Sequence, residues 1–183
     1  NVDAPLPTGA VGLDTFNAYL KRFGMGSPLG IDFPREKPGN YPTSEYFDRW
    51  YKDDKWNSIW IRSLGIGQGE FLMTTLQMAN VAATIANRGY YITPHLMTGY
   101  HDEPKEIPAR FREKHYVGID PEHFEPVIDG MEKVTIAGTA RMAYIPGIPV
   151  CGKTGTAENP HGEDHSIFFA FAPKENPRIA IAV

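Results

Sequence analysis

One cysteine in 183 residues, Cys151, leaves no pair for an internal disulfide and too few thiolates for a multi-cysteine zinc site. A secreted protein need not use disulfides, so this count leaves the compartment open. No run approaches the roughly 18 apolar residues of a membrane span and no basic-then-apolar leader opens the chain, which predicts a soluble piece. Nor does one sign of charge dominate. Eighteen Lys and Arg against 22 Asp and Glu give a net charge of −4 and a pI near 5.9, without the basic footprint that nucleic acid or an anionic membrane requires. Internal repeats and low-complexity tracts are missing as well. Turn chemistry is plentiful instead, with 18 Gly and 16 Pro beside 42 % hydrophobic residues, the composition of a globular chain with many sharp element ends. The length predicts one domain over residues 1–183.

Leu13, Phe16, Leu20 and Phe23 recur at helical spacing, and Gly24 follows where a left-handed cap would sit, so a short amphipathic helix is predicted there. From Gly24 to about Asp54 the density of Gly and Pro predicts an irregular but ordered loop region. Its Phe33, Tyr41, Tyr46, Phe47, Trp50 and Tyr51 have to be covered somewhere. Thr74-Thr75-Leu76-Gln77 has the form of a capping box, and Leu76, Ala79, Ala83 and Ala86 share one face of a helix that Gly89 ends. A third helix is predicted from Asp120 as N-cap, with Pro121 in its first turn, to just before Gly138. Phe124, Val127, Ile128, Met131 and Val134 form its apolar stripe, and its charges face water. Strand-like runs follow at 150–157, 166–172 and 178–183, the last two joined by a connection of hairpin length. Helices first and strands last predict an α+β domain in which helices cover an antiparallel sheet.

Three segments could carry chemistry. Gly65-Ile66-Gly67-Gln68-Gly69 lacks the spacing of a dinucleotide fingerprint, and Gly89-Tyr90-Tyr91 stands where its acidic residue should be, so a tight turn is the better reading. His161-Gly162-Glu163-Asp164-His165 packs four metal-ligand types into five residues, but a polar loop between strands accounts for it. His95, His101, His115 and His123 lack ligand spacing and read as solvated or satisfied histidines. In Cys151-Gly152-Lys153-Thr154-Gly155-Thr156-Ala157, a lysine stands between glycines that let a ligand approach the backbone. Thr154 and Thr156 share strand parity, so both hydroxyls could meet one carboxylate. The Gly-Lys-Thr core mimics a Walker loop. Its strand-like surroundings, with no helical pattern after it, are the objection.

Taken in order, Leu29-Gly30-Ile31-Asp32-Phe33-Pro34, Gly65 to Gly69 with Leu76-Gln77-Met78-Ala79, Pro94-His95-Leu96, Gly138-Thr139-Ala140, Lys153-Thr154-Gly155-Thr156-Ala157 and Ala170-Phe171-Ala172-Pro173 resemble one family. It is the class B penicillin-binding protein transpeptidases. The chain resembles the C-terminal part of their catalytic domain, most closely in the elongation type, with the septal cell-division type as the alternative. The resemblance implies the penicillin-binding protein and serine β-lactamase-like fold. It also implies serine acyl transfer through Ser-x-x-Lys, Ser-x-Asn and Lys-Thr-Gly motifs. Only the third is here. Three residues beyond Ser27, Ser44, Ser58, Ser63 and Ser166 stand Gly30, Phe47, Ile61, Ile66 and Phe169, and two residues beyond stand Leu29, Tyr46, Trp60, Gly65 and Phe168.

The expectation is a chain that begins after both serine motifs and is inactive alone, which the missing Met and the unfinished strand at Val183 favour over a degenerate homologue. By resemblance, an outside serine attacks the penultimate D-alanine carbonyl of a peptidoglycan stem peptide and passes the acyl group to a neighbouring amine. Lys153 then polarises the site, Thr154 and Thr156 hold the terminal carboxylate along the groove that Gly155 leaves open, and the Thr156 N–H is one oxyanion donor. β-Lactams enter as substrate mimics, a membrane glycosyltransferase is an expected partner, and no cofactor, metal or nucleic acid is implied. The whole protein is expected on the outer, periplasmic face of the inner membrane. Strict alternation puts Lys153 opposite Thr154, which predicts a twist, or a bend at Gly155, if all three are to meet one ligand. Cys151 stands where the family usually has Ala or Gly. It shares parity with Lys153 and so could come near the groove, though it reads as a small buried residue rather than a nucleophile. A reading from a different class is a non-catalytic module that binds cell-wall peptides or β-lactams, or serves as a scaffold.

Overall fold

A computed structural model describes residues 9–51, 56–99, 107–159 and 161–183. In chain order it contains α1 (Gly9–Arg22), α2 (Ser44–Trp50), α3 (Ser58–Gly65), α4 (Thr75–Ala86), β1 (Tyr90–Ile92), β2 (Lys114–Tyr116), α5 (Glu125–Ile136), β3 (Cys151–Ala157), β4 (His165–Ala172) and β5 (Ile179–Ala182). None of the described helices is long and apolar enough to cross a membrane.

The capping box at α4 is complete. The Thr74 hydroxyl accepts from the Gln77 N–H at 3.1 Å, and Gln77 Oε1 accepts from the Thr74 N–H at 3.0 Å. The face α4 buries differs from the small-residue stripe. Leu76 is exposed, while Gln77, Asn80, Ala82, Thr84 and Ala86 are buried. Buried polar side chains there donate to backbone carbonyls. Gln77 Nε2 reaches the Ser27 carbonyl at 3.2 Å and the Pro38 carbonyl at 2.8 Å, and Asn80 Nδ2 reaches the Phe23 carbonyl at 3.2 Å. These bonds fasten the Gly- and Pro-rich loops onto α4, which is how they are ordered without regular structure. Gly26 is obligatory at its turn: at φ +73° a Cβ there would lie inside the Tyr41 ring.

α1 begins four residues before the predicted helix and ends at Arg22, with Gly24 left-handed at φ +79° and its N–H on the Lys21 carbonyl. The loop region contains a two-turn helix that the prolines concealed. Thr43 caps α2, accepting from the Tyr46 N–H at 3.1 Å. Leu13, Phe47 and Leu64 then form a small core under Tyr51, Trp60 and Phe71. Cover for the aromatics is incomplete, since Phe33 and Trp50 remain largely exposed.

The third predicted helix divides in two. A 3-10 turn spans Pro121–His123, Asp120 makes no side-chain cap, and α5 starts at Glu125. Phe124, Ile128 and Met131 are buried as the stripe requires, but Val127 is half-exposed. The charges of α5 do not all face water alone: Lys174 binds Asp129 at 2.7 Å and Glu132 at 2.8 Å, holding the β4–β5 turn to the helix. These two carboxylates keep the Lys174 ammonium above the usual lysine range.

β3, β4 and β5 form an antiparallel sheet in that order, and β1 pairs with β2 in a separate ribbon that the sequence did not announce. Cys151, Phe171 and Ala180 are successive cross-strand partners, so they share one face of the sheet. On that face they meet Ala86 of α4 and Ile128 and Met131 of α5. The α+β arrangement of helices over an antiparallel sheet is therefore present, with its core between α4, α5 and the strands.

Candidate active site

β3 pairs with β4 from Cys151↔Phe171 to Ala157↔His165 in unbroken register, without a bulge. Lys153 and the threonines therefore keep to opposite faces of the strand. Their meeting comes from which backbone groups face outward. Phe168 and Val183 exchange both of their N–H···O=C bonds, at 3.0 and 2.9 Å. Antiparallel alternation then turns even-numbered residues of β4 toward β5 and odd-numbered ones toward β3. Cys151, Lys153 and Gly155 therefore bond inward to β4, and Gly152, Thr154 and Thr156 present their N–H and C=O groups at the outer edge. No strand pairs with that edge among the described residues.

Two contacts agree with this assignment. Lys153 Nζ donates to the Thr154 carbonyl at 2.6 Å, and Gln68 Nε2 donates to the Thr156 carbonyl at 3.4 Å. The lysine leaves its strand on the helix-covered face, and its ammonium lies against the outer edge. The two hydroxyls lie on the opposite face. Lys153, Thr154 and Thr156 all line one cleft of about 670 Å³, together with Gly155, Ile66, Leu72 and Met78. Ile66 and Leu72 are exposed apolar residues there. The Thr154 hydroxyl is 2.7 Å from that of Thr139.

Gly152 and Gly155 serve different ends. A Cβ at Gly152 would lie 2.7 Å from two ring carbons of Phe168, whereas one at Gly155 would make only ordinary contact, 3.6 Å from the Ile167 Cβ. The first glycine admits the Phe168 ring, and the second keeps the cleft floor low.

Gly65 to Gly69 is the tight turn expected of it, with Gly67 and Gly69 both at φ +77°. It does more than turn the chain, because Ile66 and Gly67 line the cleft and Gln68 reaches β3. Gln68 and Thr139 are the site residues that single-residue reasoning passed over. Both stand within the family-like segments, which was the available signal.

Cys151 is wholly buried in the core against Phe171 and Met131, away from the cleft that strand parity had left open to it. Burial, with the Glu132 carboxylate adding, pushes its thiol up to about 11, so it is an inert packing residue. Gly147 to Thr154 fits the full spacing Gly-x-x-x-x-Gly-Lys-Thr of a phosphate loop, so spacing is no ground for rejecting one. Conformation is the ground: Gly152, Lys153 and Thr154 lie inside a paired strand, with no helix after them among the described residues for phosphate to rest on.

Among the described residues no three of His, Cys, Asp and Glu come together as a metal site. In the 161–165 segment, Asp164 accepts from the Asn159 N–H at 3.0 Å and Asn159 Nδ2 donates to the Glu163 carbonyl at 3.3 Å. These are the internal bonds of a polar loop. His95 stacks on Phe111 and shares a 2.9 Å bond with the Thr93 carbonyl, His115 meets the Thr93 hydroxyl at 3.1 Å, and His123 is exposed. His101 lies outside the described residues.

An open strand edge with a cation and two hydroxyls beside it can hold an extended peptide ending in a carboxylate. Residues 7–183 match the penicillin binding protein transpeptidase domain. Peptidoglycan D,D-transpeptidase MrdA of Acinetobacter baumannii is 34 % identical over 94 % of this chain and 28 % of its own length. MrdA of Escherichia coli K12 is 31 % identical over 94 % and 30 %, respectively. The chain thus spans under a third of these relatives. Among solved structures, Pseudomonas aeruginosa PBP2 in complex with WCK 5153 superposes with a TM-score of 0.77 at 31 % identity, over 93 % of this chain and 38 % of that one. Helicobacter pylori PBP2 in its complex with MreC gives 0.76 at 26 % identity, over 93 % and 31 %. With an edge strand reading Lys-Thr-Gly-Thr on the same fold, the chain belongs to the penicillin-binding protein transpeptidase family.

Proposed function

We propose that this chain supplies the Lys-Thr-Gly half of the active site of a penicillin-sensitive peptidoglycan D,D-transpeptidase of the elongation type. In this reading it is part of one catalytic domain, and the serine nucleophile comes from outside these 183 residues. The observation that carries the proposal is the outer edge of β3, where Lys153, Thr154, Gly155 and Thr156 line one cleft and the Lys153 ammonium lies against the Thr154 carbonyl. An acyl donor laid along that edge has its terminal carboxylate met by both hydroxyls under the positive potential of Lys153. Its scissile carbonyl lies toward the Thr156 N–H, which stabilises the oxyanion as the outside serine attacks and D-alanine departs. A neighbouring stem-peptide amine then takes the acyl group. β-Lactams take the same path and stop at the acyl-enzyme.

The protein would act at the outer face of the cytoplasmic membrane. MreC, found with the Helicobacter pylori protein, and a membrane glycosyltransferase are its candidate partners. Reporter-labelled penicillin tests the reading on this chain and on protein of the relatives' full length, with adducts read by intact mass. Labelling of the longer protein alone is the expected result. No adduct on either form overturns it in favour of a non-catalytic binding module, and an adduct on this chain overturns the placement of the nucleophile outside it.

A further inference from the structure

Thr139 sits in the turn after α5, where the Gly138 and Ala140 N–H groups both donate to the Val134 carbonyl at 3.1 Å. A Cβ on Gly138 would come within 2.7 Å of the Val134 Cα, so the turn is wound as tightly as backbone allows. Buried Ala140 anchors its far side. Thr139 is therefore held in place although its side chain is exposed, and its hydroxyl lies 2.7 Å from that of Thr154.

Each of these hydroxyls has a single proton. If Thr154 donates to Thr139, its proton is engaged away from the cleft and only lone pairs face a bound anion. If Thr139 donates to Thr154, the Thr154 proton is left for the ligand, and a hydroxyl that already accepts a bond is a better donor. A carboxylate selects the second arrangement, because it can only accept. We propose that Thr139 is a positioning residue that donates to Thr154 Oγ1 and thereby directs the Thr154 proton onto the carboxylate of the acyl donor. The proposal rests on the transpeptidase reading and adds a residue to it. Thr139 touches no reacting atom.

The test uses the full-length protein with Thr139→Val, which keeps the shape and removes the donor, and Thr139→Ser, which keeps the donor. Each is titrated with a penicillin as its free acid and as its methyl ester. Losing one hydrogen bond should slow acylation by the acid about 3- to 10-fold in T139V. The ester should change less than about 2-fold, and T139S should match the parent on both. Equal losses on acid and ester, or no loss on the acid, overturn the proposal. If the parent takes no penicillin, the transpeptidase reading fails by itself. Equilibrium binding of the same pair then decides Thr139: acid preference lost in T139V supports its role, and preference retained overturns it.

Discussion

Placing alanine at each glycine of the Lys-Thr-Gly strand should separate folding from chemistry. In Gly152→Ala the new methyl starts 2.7 Å from two ring carbons of Phe168 and 3.3 Å from the Ala170 Cβ. Carbon pairs settle at about 3.5 to 4.0 Å, so the ring must move by roughly 1 Å. Such overpacking costs about 1–3 kcal/mol. Replacing a strand glycine returns about 0.5–1 kcal/mol, leaving a net loss of roughly 1–2 kcal/mol. For a chain of this size that lowers Tm by about 2–8 °C. In Gly155→Ala the nearest atom is the Ile167 Cβ at 3.6 Å, so only the backbone gain remains, about 0.5–1 kcal/mol of added stability. Urea denaturation of the two variants should differ by about 2 kcal/mol in opposite directions from the parent. Acylation, read here and below in protein of the relatives' full length, should invert the order. The Gly155 methyl stands in the cleft and slows penicillin about tenfold or more, while Gly152→Ala, away from the cleft, changes it little below its Tm. Equal destabilisation by both substitutions, or a stable Gly152→Ala, would refute the packing argument at Phe168.

Three further outcomes rest on the same geometry. The Cys151 thiol, pushed up to about 11, keeps its proton in the folded chain at a pH where the unfolded chain has lost it. The stability this adds is intact below about pH 9 and lost as pH rises toward 11, amounting to about 2–3 kcal/mol over two units. Urea midpoints of parent and Cys151→Ala should differ in slope across that window, and a parallel pair of curves would contradict it. Thr135→Val removes the donor that reaches the Val150 carbonyl at 2.7 Å just before β3. An unsatisfied buried carbonyl costs about 1–3 kcal/mol by chemical denaturation, and a neutral variant would show that water replaces the hydroxyl. Gln68→Ala should leave stability within about 0.5 kcal/mol, since its 3.4 Å bond is exposed. It should slow acylation a few-fold, because the same side chain fixes the turn that walls the cleft, and an unchanged rate would remove Gln68 from the site.

How far the sequence reaches depends on the range of the forces involved. The capping box of α4, the left-handed Gly24 and the three closing strands are local patterns, and each is present where the residues put it. The buried face of α4 is not local, because tertiary partners, the loop carbonyls of Ser27 and Pro38, make burial of Gln77 favourable over Leu76. α2 is concealed for a related reason: the prolines of the loop region all precede Thr43, and the residues after it form a capped helix packed through Phe47. β1 and β2 have three residues each, too short for periodicity to register. At the site, Lys153, Thr154, Gly155 and Thr156 are legible as a motif. Their outward-facing backbone is not, because facing depends on which pairs of β4 and β5 exchange hydrogen bonds.

An open strand edge is ordinarily a hazard, since its unpaired groups template association with any other strand. Here the edge is biased rather than neutral. Of its three outward carbonyls, those of Thr154 and Thr156 already accept from Lys153 and Gln68. A passing strand would have to displace an ammonium or an amide to pair with them. What the edge offers in their place is donors, the N–H groups and hydroxyls of Thr154 and Thr156, beside a cation. A segment that only accepts, such as a peptide's terminal carboxylate or an oxyanion, has no need of those two carbonyls, while a full β-strand with donors of its own meets positive charge and two occupied acceptors. The contacts that protect the edge from aggregation are therefore the same contacts that leave it favouring a ligand that only accepts, as the proposed acyl donor does at its carboxylate. Lys153 belongs to both roles, which is why a lysine on this edge cannot be read as surface charge alone.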